Sequence, residues 1–116
     1  MKFLVLMAEE DTWERWNALS DAEQQDVFDS FTAFTEAVKE RGTVLAGEAL
    51  DRTESARTVR PGPGRPVTEG PFAETVEQLG GFWLVDLPDL ESALGAAKLL
   101  PEAYSVEVRP VVDMEG

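Results

Sequence analysis

The chain contains neither cysteine nor histidine. Without cysteine there are no disulfides, no thiolate nucleophile and no zinc–thiolate site. Without histidine the chain lacks the usual general base near neutral pH and the commonest metal ligand. Long apolar runs are missing as well. The longest near the start, residues 3–8, is followed at once by Glu9, Glu10 and Asp11, a pattern that fits neither a membrane span nor a signal peptide. These features lead to the expectation of a cytoplasmic protein. Positive charge is scarce: 10 Lys and Arg stand against 23 Asp and Glu, a net charge of −13. Nucleic-acid backbones and anionic membranes are therefore excluded as expected partners.

The 116 residues, 43% of them hydrophobic, suffice for one domain with one core. Charge is spread unevenly. Residues 9–29 carry eight acids against Arg15, whereas residues 52–65 carry four arginines against Glu54. The second segment either receives an anionic ligand or balances nearby carboxylates as a solvated hairpin.

Residues 2–8 read as a first strand that is apolar on both faces, so both need cover. An acidic connector, 9–19, holds Trp13 and Trp16 three apart, which fits a helical turn that docks on the body or faces a ligand. Residues 20–41 predict a long helix. Ser20 and Glu23 form a capping box at its start. Val27, Phe28, Phe31, Phe34 and Val38 form an apolar stripe that reads as core, and Gly42 is placed to end the helix in a left-handed conformation. Residues 43–50 predict a second strand on which Glu48 shares a face with Val44, Ala46 and Leu50. Residues 55–60 predict a third, paired to the second, and the Pro/Gly-rich 61–66 an exposed tip. Residues 82–87 read as the most apolar strand. Asp89 caps a second helix with Leu90, Ala93, Leu94 and Ala97 on its buried face, and 104–112 form the last strand.

This order predicts an α+β, ferredoxin-like βαββαβ subunit with an inserted hairpin, an antiparallel sheet and two helices on one of its faces. The bare face calls for a second subunit, hence a homodimer.

The stretch Glu69-Gly70-Pro71-Phe72-Ala73-Glu74-Thr75, followed by Leu79-Gly80-Gly81-Phe82 and Asp86-Leu87-Pro88-Asp89-Leu90, resembles the DGPF branch of the YCII-related proteins. Gly47-Glu48-Ala49-Leu50 and Val106-Glu107-Val108-Arg109-Pro110-Val111 extend the likeness over nearly the whole chain. Glu69 replaces the aspartate that gives the branch its name, and Val76 stands where its pattern carries a lysine. The resemblance implies a dimeric α/β-barrel-type assembly. It also implies a regulatory alternative, because genes of such proteins often lie beside those of extracytoplasmic-function sigma factors. The histidine–aspartate chemistry ascribed to some YCII-related proteins has no residue here to carry it.

No metal-loop spacing, phosphate-cradling loop or nucleophile elbow is present, and no cofactor is called for. The chemistry falls to charged residues on apolar strands and in the 61–74 loop. Glu48, Arg57, Glu69, Phe72, Glu74 and Arg109 are expected around one small-molecule cavity roofed by that loop. Glu48 is the expected base, and Glu107 a neutralising neighbour of Arg109. The competing reading is a charge network that fixes sheet and dimer register.

Overall fold

The computed structural model describes residues 1–114. The strands and helices run β1 (Lys2–Glu9), α1 (Thr12–Ala18), α2 (Asp21–Arg41), β2 (Thr43–Ala49), β3 (Arg57–Val59), β4 (Val67–Glu69), β5 (Gln78–Asp86), α3 (Leu90–Ala97) and β6 (Ser105–Pro110). A four-stranded antiparallel sheet has the order β2-β5-β1-β6. This α+β arrangement is consistent with the ferredoxin-like plan.

Helix α2 starts where its sequence dictates. The Ser20 hydroxyl accepts from the Glu23 backbone N–H at 3.2 Å, and the Glu23 carboxylate accepts from the Ser20 N–H at 2.9 Å. The helix lies on one face of the sheet, where Phe34 and Val38 meet Phe3, Val5 and Val85, all fully buried. The other face carries Leu4, Leu6, Ala8, Phe82 and Leu84, with no helix over them among the described residues. Strand alternation sets these residues opposite Phe3, Val5, Met7 and Val85. The molecule is correspondingly flat, 18 Å along its shortest axis. Its radius of gyration is 16.0 Å, against about 13 Å for a compact chain of this length.

Several local expectations are corrected. Gly42 is extended (φ −165°), not left-handed. Glycine is needed there because a Cβ would lie 1.8 Å from the Asp86 carbonyl oxygen on β5. On α3 the buried residues are Ala93, Ala96 and Ala97, while Leu90 and Leu94 are exposed. Gly95 in this helix faces open space, so it weakens the helix by about 1 kcal/mol relative to Ala. A third helix, α1, is only seven residues long.

The largest correction concerns the inserted hairpin. β3 pairs with β4, not with β2, in a separate two-stranded sheet. A single 3₁₀ turn, Thr53–Ser55, carries the chain off the main sheet before β3 begins. Gly62 and Gly64 at the tip, and Gly70 on the return, all adopt positive φ.

Candidate functional site

At one end of the sheet the helix-facing positions are small. There Gly47 and Ala49 of β2 and Gly81 of β5 replace the large side chains found at the other end. α2 cannot close down on this floor, because Trp83 stands up from it. A Cβ on Gly47 would lie 2.3 Å from the Trp83 ring. Trp83 in turn meets Phe34 (ring centroids 5.1 Å apart) and Phe31 (6.1 Å). The gap that remains is a cavity of about 400 Å³, bounded by Met7, Trp13, Trp16, Val27, Phe28, Phe31, Trp83 and Tyr104. The apolar stripe of α2 is thus divided. Its C-terminal half is core, and its N-terminal half lines a cavity.

Helix α1 forms the outer wall. Trp16 packs edge-on to Phe28 at 5.3 Å, and its carbonyl accepts from Gln24 Nε2 at 2.9 Å. The register shift between β1 and β5 leaves Gly80 without a partner on β1, beneath α1. A side chain there would reach Thr12 at 3.2 Å, so this glycine gives α1 its seat. The Trp83 indole N–H is buried and has no hydrogen-bond acceptor among the described residues. Buried donors are rarely left so.

A second, polar cavity of about 430 Å³ adjoins the first, sharing Thr12, Trp13 and Gly80 with it. Glu9, Asp11, Glu14, Asp51, Glu54 and Glu74 border it, with Arg52 the one basic residue. Arg52 Nη1 donates to Glu14 at 2.8 Å, and its guanidinium lies 6.0 Å from the Trp13 ring centroid. Among the described residues no group of carboxylates is arranged to hold a metal ion.

Glu9 is the buried carboxylate of this region, 8% exposed. Burial raises its carboxyl above the ordinary range, and the attraction of Arg15 offsets this only in part. The phenol of Tyr104 is likewise raised, first by burial and then by the negative charge of Glu9. Glu9 was legible in principle. It follows Phe3, Val5 and Met7 at spacing two, so it is the next residue on the covered face. Tyr104 carried no such signal beyond being the chain's one tyrosine.

The six residues expected around one cavity do not converge. Glu48 is exposed on β2. A bulge at Leu45 puts Val44 on the helix face and Ala46 on the open one, so Glu48 shares its face with Ala46 but not with Val44. It borders the apolar cavity, although alternation sets it on the face opposite Gly47 and Trp83. Arg57 and Glu69 are partners in the β3–β4 register, and the Arg57 guanidinium donates to the carbonyls of Glu54 and Ala56. No cross-strand pair of Glu48 and Arg57 forms, because β3 leaves the main sheet. Phe72 is 79% exposed rather than an anchor. It borders a groove with Leu50, Pro71 and Leu79. Of the loop expected as a roof, Gly70, Pro71 and Glu74 border the polar cavity. Arg109 lies on β6, at the sheet edge opposite β2, in an exposed ion pair with Glu107.

Fold and sequence together place this chain in a family: it belongs to the YCII-related domain proteins, whose family model matches residues 1–115. It is 37% identical over 100 residues to an uncharacterised protein of Rhizobium meliloti (strain 1021), across 82% of this chain and 81% of that one. Among the described residues no helix is long and apolar enough to cross a membrane.

Glu9 gives a signed prediction. Its raised value means that the fold prefers the protonated form, so the wild type loses stability as pH rises through and above the ordinary carboxylate range. Glu9→Gln removes that titration. In thermal unfolding the variant should melt above the wild type at pH 7, with the difference vanishing below about pH 4. A lower melting temperature for the variant at pH 7 would mean that the carboxylate is stabilised in the fold.

Proposed function

We propose that the protein binds a small, largely apolar molecule in the cavity between α1, α2 and the sheet. The observation that supports this is an aromatic-lined space of about 400 Å³ between α1, α2 and the sheet. Pockets for small ligands are typically apolar with a few placed polar groups. Should the site be catalytic, Glu9 is better placed than Glu48 to act as acid or base. It is buried, its carboxyl is raised, and Tyr104 lies within its electrostatic reach. Glu74 keeps a ligand-contacting role at the polar rim.

We infer further that the chain is a cytoplasmic member of the DGPF branch. Two copies pack through the open sheet face in a dimeric α/β-barrel-type assembly. Leu4, Leu6, Phe82 and Leu84 would form the centre of that interface, with Glu48, Glu107 and Arg109 around them. An apolar face of this kind marks an interaction site.

A thermal-shift screen against a broad metabolite panel tests the binding reading. Reproducible stabilisation by one compound class supports it, since ligand binding raises stability by mass action. No shift from the panel, together with a pull-down that recovers an extracytoplasmic-function sigma factor, favours the regulatory alternative, in which the acidic surface meets a basic partner. Sedimentation velocity at micromolar concentration should give a dimer. A monomer would remove the sheet-to-sheet assembly.

A further inference from the structure

The charge around the cavity narrows the class of molecule it can take. The apolar cavity has no lysine or arginine in its lining, and six of the residues on its helix-facing side are aromatic. Its neighbour, which shares the Thr12, Trp13 and Gly80 wall, presents six carboxylates against Arg52. That arginine is already engaged, with Glu14 at 2.8 Å and the face of Trp13 at 6.0 Å. The protein therefore holds one cation of its own on this shared wall, between an aromatic ring and a carboxylate.

Glu9 supplies an independent observation. It is 8% exposed and borders the polar cavity, and its side chain makes no hydrogen bond and no ion pair within 4.0 Å among the described residues, although the charge of Arg15 reaches it. A buried carboxylate whose burial Arg15 offsets only in part is costly, and a cationic ligand would add to that offset. An anionic ligand would meet the same carboxylates as repulsion. A neutral one would leave Glu9 as it is.

We propose that the paired cavities select an organic cation, an alkyl- or arylammonium whose apolar body lies among the aromatic rings and whose charge lies past the shared Thr12, Trp13 and Gly80 wall, on the side that Glu9 borders. Ring faces attract such a head electrostatically, and the attraction grows when water is excluded. The adjoining carboxylates add a field that draws cations toward the opening. This selection rests on the binding reading above and adds the sign of the ligand's charge.

Two isosteric probes separate charge from shape: phenyltrimethylammonium and tert-butylbenzene, each titrated against tryptophan fluorescence. The cation should bind at least about tenfold more tightly than its neutral isostere. Glu9→Gln should weaken the cation by about fivefold and leave tert-butylbenzene unchanged, and Glu9→Asp should restore part of the preference. Equal affinities in the wild type would overturn the selection for charge and leave the cavity standing. Absence of binding by either probe would overturn both readings. Equal weakening of both probes in Glu9→Gln would show that Glu9 only shapes the cavity, and would remove it as the counter-charge.

Discussion

The contact between Trp83 and Gly47 sets the geometry of the functional end of this molecule. The indole ring occupies the space that a β2 side chain would otherwise fill, and only glycine leaves room for it. From that position the ring touches Phe31 and Phe34 on α2. On one side of it lies the close-packed core of Phe3, Val5, Phe34, Val38 and Val85. On the other lies the cavity under α1. One large aromatic set against small strand residues thus turns a continuous helix–sheet interface into a core and a pocket. Interiors are packed densely enough that such a gap must be propped open by specific shapes.

Charge is arranged around this division. The fully buried residues of the core are apolar, and most carboxylates lie on exposed surface. Glu9 is the exception, placed on the covered face where β1 runs out toward α1. Arg52 reaches the same region from the segment after β2 and closes on Glu14 and Trp13. That pair is exposed and adds little stability by itself. Its effect is positional, because it ties the hairpin-bearing segment to α1 and so sets the boundary between the two cavities.

Much of the fold was legible because it is local. The capping box at Ser20 and the Asp89 cap each depend on residues within a few positions and are realised as the spacing predicts, whereas of the α2 stripe read as core only Phe34 and Val38 are buried. What was not legible depends on pairing between distant segments. A one-residue bulge at Leu45 reassigns the faces of β2, and the extra residue Gly80 makes room for α1. Neither is announced by local pattern. The candidate site suffered accordingly. The motif around Glu69–Phe72 drew attention to the hairpin, whereas the buried carboxylate was the unremarked end of the first strand. Simple alternation from Phe3 through Met7 reaches it, provided the strand is carried one residue further.

Unfolding of Gly47→Ala by urea, followed through tryptophan fluorescence, is the most direct test of this account. The new Cβ falls 2.3 Å from the Trp83 ring, so ring or strand must move. Overpacking of this kind costs about 1–3 kcal/mol. The account predicts a loss of stability in that range and an altered native emission spectrum. Wild-type stability with an unchanged spectrum would contradict it, for Trp83 would then not depend on the absence of a side chain at position 47.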